Sequence, residues 1–232
     1  MNTFYEKGIQ SGVRTLSEEE AKHCLLVLRM KKGDEIRLVD GLGAIYRAVL
    51  TQVDKKKCAF ELLEEFQTPA KPFSVHLVIA PTKNADRMEW MVEKLSEIGV
   101  DELSFIATEH SERTKIRIDR LEKKAISAMK QSGGTHLMKI AEAQTLEDSL
   151  AQLTSDQAFM AHVSADHAYM PNVCKPGAST TLFIGPEGDF TYQELARAQA
   201  VGVVPVSLGR SVLRTETAGL LGCHTIHQVN MW

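Results

Sequence analysis

The sequence predicts an α/β protein in which a small β-barrel with one helix precedes a parallel sheet covered by helices on both faces. Three observations lead to this class. After residue 72, short continuous apolar runs alternate with helix-type apolar patterns, whereas strand-like runs predominate before residue 67. Between them stand two closely spaced prolines, Pro69 and Pro72, which disfavour helices and strand ladders as a linker does. We therefore predict two domains, at residues 1–70 and 73–232.

The first predicted domain combines one helix with a hairpin. A helix is expected over residues 17–28, because Ser17 can act as its N-cap and Glu20 completes a capping-box pattern. Strands at 34–39 and 44–50 meet across the turn-forming residues 40–43, which is a hairpin signal. Residues 58–63 supply a third strand.

The second predicted domain begins with a continuous apolar run at residues 75–80, typical of a strand buried on both faces. Asn84 can cap the next helix, whose apolar residues follow a helical period as far as Ile98, and Gly99 ends it. Asp119 is expected to cap the helix that follows. The further predicted strands are 103–107, 159–163, 182–184 and 203–206, and the further helices are 119–131, 146–153, 192–200 and 215–229.

Two loops that follow predicted strands carry the candidate site, FIGPEGD at residues 183–189 and SLGRSVLRTETAG at residues 207–219. Ligands of open α/β sheets bind beyond the carboxyl ends of the strands, where such loops gather. Glycines let the backbone approach a ligand closely, and Pro186 stiffens the first loop. A few polar groups stand beside apolar ones, which suits a ligand with an apolar face and fixed polar contacts. The polar groups are Glu187, Arg210, Arg214 and Glu216, and the apolar ones are Leu208, Val212 and Leu213.

The GPEG loop at 185–188, followed by the LGxxxLRxETA pattern at 208–218, resembles the C-terminal signature of the bacterial 16S rRNA (uracil-N3)-methyltransferases of the SPOUT superfamily. Similar residues at 83, 86–90, 93–94, 97–99, 111–113 and 131–133 extend the resemblance over nearly the whole chain. Two positions depart from the family pattern. Asp189 stands where a second glycine is usual, and Gly134 stands where a basic residue is common.

The resemblance implies a PUA-like RNA-binding barrel followed by a methyltransferase domain with a C-terminal trefoil knot. It implies S-adenosylmethionine as cofactor, a uridine of 16S rRNA in the small ribosomal subunit near the decoding centre as substrate, and a homodimer. The cofactor-binding residues expected are His162, Ile184, Gly185, Pro186, Glu187, Gly188, Ser207, Leu208, Gly209, Val212, Leu213 and Thr217. The RNA-binding residues expected are Arg29, Lys31, Lys32, Lys83, Arg87 and Arg113.

The chemistry of this reaction limits the catalytic candidates. The sulfonium of S-adenosylmethionine already activates the methyl group, so the enzyme mainly aligns it for displacement. Uracil N3 must lose its proton, and negative charge then spreads onto the ring carbonyl oxygens. Arg214 is the candidate that stabilises this charge, because a guanidinium donates a fixed fork of hydrogen bonds. Glu216 or Glu187 could accept the proton or orient Arg214, and the alternative is a purely structural Arg214–Glu216 ion pair.

Bulk properties restrict the class of protein further. The net charge of −3 gives no overall case for nucleic acid, so RNA contacts must come from local patches such as 29–32; the basic run 55–57 is better explained as a solvated hairpin turn. No apolar run approaches a membrane span, no signal-peptide core is present, and the four cysteines form no CxxC pair. A cytoplasmic protein with reduced thiols and no membrane contact is expected. His224 and His227 beside Cys223 fall short of a closed zinc site, so we expect no metal.

Two other functions remain open from the sequence. One is a SPOUT methyltransferase that acts on a tRNA base or a ribose 2′-hydroxyl, and the similarity that includes the N-terminal barrel counts against it. The other is a non-catalytic RNA-binding relative. The intact motif residues Gly185, Gly188, Gly209, Leu213 and Thr217 count against that interpretation.

Overall fold

A computed structural model describes residues 1–54, 57–111, 116–164 and 166–231 of the chain. Its contacts divide the chain into two compact units, Met1–Ala70 with Ile126–Leu137, and Lys71–Ala125 with Met138–Trp232. The sequence-based division instead placed residues 126–137 in the second domain. They contact the first sheet, because Leu42 and His136 form an antiparallel bridge and the Leu137 N–H donates to the Gly41 carbonyl at 2.9 Å.

The first unit contains a four-stranded sheet. Its strands are β1 Thr3–Tyr5, β2 Glu35–Val39, β3 Ala44–Val53 and β4 Cys58–Gln67, and they lie in the order β1-β2-β3-β4. The predicted antiparallel hairpin of β2 and β3 is confirmed. The N-terminal segment joins the two edges of the sheet, since it supplies the edge strand β1, which runs parallel to β2, and then bridges from Thr15 to Ala59 on the other edge strand, β4. These two contacts close the sheet into a small barrel.

Helix α1, Glu18–Lys22, continues as a π-helix over His23–Val27. The predicted capping box is wrong, because the Ser17 side chain makes no capping hydrogen bond. Glu20 is only 6% exposed, and its carboxylate pairs with Lys130 and accepts from the Tyr5 N–H at 3.4 Å. Glu20, which the capping-box pattern assigned to the start of the helix, is thus paired with the distant residue Lys130 instead.

The second unit is built on a seven-stranded sheet. Its strands are β5 Val75–Ile79, β6 Glu102–Ala107, β7 Lys139–Thr145, β8 Gln157–Ala161, β9 Ala168–Tyr169, β10 Thr180–Ile184 and β11 Val204–Ser207. They lie in the order β7-β6-β5-β10-β8-β11-β9. Every pairing in the sheet is parallel, which confirms the predicted α/β class. The short strand β9 and the largely polar strand β7 were not predicted.

The predicted N-cap is confirmed at Asn84 and is wrong at Asp119. The helices are α2 Ala85–Ile98, α3 Ile118–Ser132, α4 Leu146–Ala151, α5 Met170–Val173, α6 Tyr192–Ala200 and α7 Thr215–Val229. The Asn84 side chain accepts from the N–H groups of Asp86 and Arg87, and Gly99 ends the helix at a φ of 81°. Helix α3 begins before Asp119, whose carboxylate pairs instead with the Arg117 guanidinium.

Helix α7 packs against strands β5 and β10 through two glycines. A Cβ atom at Gly222 would overlap a methyl carbon of Leu182, and one at Gly219 would lie 3.0 Å from Ile79. This close approach fixes the start of α7 near the carboxyl ends of the central strands. Within the described residues, no helix is long and apolar enough to cross a membrane.

Candidate active site

The loops that follow β8, β10 and β11 meet at the carboxyl edge of the sheet, where these three strands are neighbours. They enclose a cavity of about 350 Å³. Most residues predicted to bind a cofactor line it, while Gly188 and Thr217 are outside its lining. The predicted residues in the lining are His162, Ile184, Gly185, Pro186, Glu187, Ser207, Leu208, Gly209, Val212 and Leu213.

Gly209 shapes one wall of this cavity. Its φ of 139° is a conformation that L-residues rarely adopt, and no atom beyond its chain neighbours lies within 4 Å of the position that a Cβ would take. The Ser207 hydroxyl accepts from the Gly209 N–H at 3.2 Å and donates to its carbonyl at 3.0 Å. A serine and a glycine therefore hold the loop after β11 in a form that leaves open space beside the backbone.

Asp189, the departure from the family pattern, fastens the loop after β10 to the loop after β8. Its φ of 60° lies in the left-handed region, which aspartate tolerates better than most residues. One carboxylate oxygen accepts from the Val163 N–H at 3.0 Å, and the other accepts from the Phe190 N–H at 2.8 Å. The side chain thus adds contacts that a glycine at this position could not make.

Two histidines stand beside Asp189. The Nε2 of His162 lies 3.6 Å from the Asp189 carboxylate, and its Nδ1 lies 3.2 Å from the Nε2 of His167. The same Nδ1 accepts from the Ser164 N–H at 3.3 Å, which leaves the Nε2 proton facing the carboxylate. Burial, together with neighbouring His162, lowers the pKa of His167. Burial therefore favours the neutral form of His167, which contacts the lining residue His162.

The catalytic candidates divide into exposed and buried groups. Arg214 and Glu187 are exposed at the cavity. Glu216 is only 6% exposed, and its Oε1 lies 3.7 Å from the Nε of Arg87 on α2. In the part of the chain that the structure describes, its Oε2 has no hydrogen-bond partner and no Arg214–Glu216 ion pair is present. Helix α2 packs alongside α7 and so brings Arg87, rather than Arg214, to this carboxylate.

The predicted RNA-binding residues fall in both units. Arg29, Lys31 and Lys32 are exposed on the first unit, where the Lys31 N–H donates to Asp34 at 2.8 Å and Arg29 has a φ of 52°. Lys83 is exposed on the second unit, and Arg87 reaches Glu216. Arg113 lies outside the described residues, as do residues 55 and 56 of the predicted turn.

Several lining residues were not predicted to bind a cofactor. Four of them adjoin predicted residues in the second motif, so their position in that motif could have identified them: Arg210, Ser211, Arg214 and Thr215. Ala161 and Val163 flank the predicted His162. Asp189 was noted only as a departure from the pattern, since its hydrogen bond to Val163 joins residues far apart in the sequence.

A parallel sheet with a glycine-shaped cavity at its carboxyl edge, in a chain that also carries a small barrel, defines a two-domain α/β protein with a site for a small ligand. Family comparisons make the class specific. A family model described as an RNA methyltransferase domain matches residues 69–227, and one described as an RNA methyltransferase PUA domain matches residues 16–63. The chain belongs to this family of RNA methyltransferases, which confirms the resemblance seen in the sequence.

Individual relatives agree with this assignment. "Ribosomal RNA small subunit methyltransferase E" of Aquifex aeolicus is 27% identical over 222 residues, covering 94% of this chain and 95% of the relative. The protein of the same name from Bacillus subtilis is 26% identical over 228 residues, covering 91% of this chain and 88% of the relative.

Solved structures show the same similarity over the full length. A probable rRNA methyltransferase from Porphyromonas gingivalis is 41% identical with a TM-score of 0.93, covering 100% of this chain and 99% of that one. A ribosomal RNA small subunit methyltransferase E from Neisseria gonorrhoeae, bound to S-adenosyl methionine, is 27% identical with a TM-score of 0.88, covering 99% and 98%.

Proposed function

We propose that this chain transfers the methyl group of S-adenosylmethionine to N3 of one uridine of 16S rRNA in the small ribosomal subunit, near the decoding centre. The observation that carries the proposal is the cavity at the carboxyl ends of β8, β10 and β11, lined by the residues of both sequence motifs. Full-length relatives that are named small-subunit rRNA methyltransferases support the class of substrate.

The residues of the cavity suit this cofactor. Leu208 and Leu213 offer apolar contacts for a planar base, while Glu187, Arg210 and Arg214 offer charges of both signs for the ammonium and carboxylate of the methionine part. The open space beside Gly209 lets the ligand approach the backbone. S-Adenosylmethionine supplies an activated methyl group when it is bound.

The protein's own part in the reaction is to move a proton and to stabilise charge. Arg214, exposed at the cavity, would donate hydrogen bonds to the uracil carbonyl oxygens as N3 loses its proton. Glu187 is also exposed there and is the better placed of the two predicted carboxylates to accept the proton. Glu216 is buried against Arg87 and is proposed to orient the start of α7.

Mass spectrometry of 16S rRNA from cells that lack this protein tests the proposal. We expect loss of 3-methyluridine at one site, restored by the wild-type gene. Loss of a different methylated nucleoside, in 16S rRNA or in tRNA, would assign the chain to another RNA substrate. A thermal shift with S-adenosylhomocysteine separates an enzyme from a non-catalytic relative, because a ligand that binds only the folded state raises the melting temperature.

We further propose a homodimer in the cytoplasm, where ribosomal subunits are found, with α7 at the subunit interface. Closed two-fold pairing is the commonest oligomer, and Leu221 on α7 is 44% exposed. Ile226 on the same helix is fully buried within the protomer and takes no part in the proposed interface. Sedimentation that shows only a species of 25.7 kDa would contradict the dimer.

A further inference from the structure

The loop after β6, residues 108–111, reaches the loop after β10 through one imidazole. The Nδ1 of His110 lies 3.1 Å from the Gly188 carbonyl oxygen and 3.1 Å from the Asp189 carbonyl oxygen. Because both facing atoms are acceptors, Nδ1 carries the proton and donates to them. The hydrogen bond to the Asp189 carbonyl is also the main cause that raises the pKa of His110.

The backbone that carries His110 is itself anchored. The N–H of Thr108 donates to the Ser111 hydroxyl at 2.9 Å, and the N–H of Ser111 donates back to the Thr108 carbonyl at 3.0 Å. The N–H of Glu109 donates at 2.9 Å to the carboxylate of Glu194, which is 3% exposed and belongs to the capping box of α6. His110 is therefore presented from a turn that is fixed to the body of the second unit.

The two loops approach each other closely at Gly188. A Cβ atom at Gly188 would lie 3.1 Å from the Cβ of His110, so any larger residue there would have to displace the His110 turn slightly. On its other side the same loop is held by the Asp189 carboxylate, which accepts from Val163 at 3.0 Å. The segment 185–189 is thus fastened from the β6 side by His110 and from the β8 side by Asp189.

We propose that His110 is a positioning residue that holds the segment 185–189 in the form that receives the cofactor. His110 is outside the lining of the cavity, whereas Gly185, Pro186, Glu187 and Asp189 are in it. It acts through these residues and does not touch the ligand. The inference rests on the proposed function, because it takes S-adenosylmethionine as the ligand of the cavity.

Calorimetric titration with S-adenosylhomocysteine tests this role in the wild type, His110→Leu and His110→Asn. Leucine removes the donor, and we expect about tenfold weaker binding, the size expected for losing a net hydrogen bond or two. Asparagine places its Nδ2 donor where Nδ1 stands, and we expect affinity within about threefold of wild type. Melting temperatures verify that each variant is folded, and His110→Ala replaces the leucine variant should leucine disturb packing.

Amide hydrogen exchange at residues 187–190, measured without ligand, separates this inference from the proposed function. Faster exchange in His110→Leu than in wild type supports the positioning role. Unchanged exchange, or a folded leucine variant that binds as tightly as wild type, overturns it. A wild type that binds no S-adenosylhomocysteine would overturn the cofactor assignment, and the exchange comparison would still decide the role of His110.

Discussion

Among single residues, Arg214 is expected to affect the rate of methyl transfer most, because the negative charge that it would stabilise develops only in the transition state. Its side chain is exposed at the cavity. We expect Arg214→Ala to keep cofactor affinity within a few-fold of wild type while slowing methyl transfer by roughly 10²–10³, the usual effect of losing one donor to a developing oxyanion. Single-turnover rates on the assembled small subunit measure this.

Arg197→Ala is the matched control for that substitution. Arg197 is half exposed on α6, pairs with Glu147 at 3.0 Å and lies outside the lining of the cavity. An exposed pair of this kind contributes little stability, so the control should transfer methyl groups at the wild-type rate. A rate for Arg214→Ala within a few-fold of this control would remove Arg214 from the mechanism.

The sequence identified cavity-lining residues chiefly where they lie together in the chain, and it missed side-chain contacts between distant residues. The segments 185–189 and 207–213 are contiguous motifs, and the structure brings them to one cavity. The pairing of Glu216 with Arg87 and of His110 with Gly188 depends on how α2 and the β6 loop pack. Side-chain partners of this kind carry no local sequence signal, which is why Arg87 was expected only at RNA.

At the scale of one loop, Gly209 allows a direct test of the cavity. Gly209→Val adds a side chain at a backbone with open space beside it, and we expect cofactor binding to be lost or greatly weakened. Gly202→Val is the matched control, since Gly202 also has a positive φ and open space around its Cβ position but lies outside the lining. Calorimetry and melting curves compare the two variants.

Both substitutions carry backbone strain, so only their difference reports on the ligand. Both variants are expected to lose melting temperature, because valine is disfavoured at positive φ in either turn. If folded Gly209→Val binds S-adenosylhomocysteine as tightly as Gly202→Val does, the loop after β11 is not part of the cofactor site.

The buried imidazole of His227 on helix α7 makes the stability of the protein depend on pH. The side chain is 2% exposed, packs edge-on against Phe73, and has its Nδ1 2.9 Å from the Cys223 carbonyl. Burial is the main cause that lowers the pKa of His227 below its ordinary value of 6.5. Because the unfolded chain then binds a proton more readily than the folded one, the neutral imidazole's contribution to stability is present above pH 6.5 and lost as the pH falls through the folded pKa.

We therefore expect the free energy of unfolding to fall as the pH is lowered below 6.5, and His227→Gln to reduce that slope. The slope should not vanish, because burial also lowers the pKa of His76. Urea unfolding at a series of pH values measures both slopes. Identical slopes in the variant and the wild type would show that His227 does not contribute.

Elements with strong local signals were predicted well, and weak ones were not. The apolar runs of β5 and β10, the capped helix α2 and the helix α7 are confirmed, with α7 at its predicted bounds. Strand β9 has only two residues, and β7 is largely exposed, so neither shows the apolar run that marks a buried strand. The trefoil knot stays a prediction from the family resemblance, since the apolar periodicity of a sequence does not show how the chain passes through its own loops.

For the whole molecule, the division into two units predicts separable roles. All residues that line the cavity belong to the second unit, while the exposed basic residues Arg29, Lys31 and Lys32 belong to the first. The net charge of −3 makes such a local patch necessary for any attraction to phosphate. We therefore expect RNA affinity and cofactor affinity to respond to different substitutions.

Replacing Arg29, Lys31 and Lys32 together by glutamine tests that separation. RNA binding should weaken. The slope of the logarithm of the RNA-binding constant against the logarithm of the salt concentration should become shallower by about 0.7–0.9 for each phosphate that the protein no longer neutralises, because fewer counterions are released. Affinity for S-adenosylhomocysteine should stay at the wild-type value. Lys7→Gln with Lys57→Gln removes charge elsewhere on the same unit and should leave the slope nearly unchanged. The control removes two charges against three, so a loss of slope about two-thirds as large in the control would mean that RNA binding follows total charge and that residues 29–32 form no recognition patch.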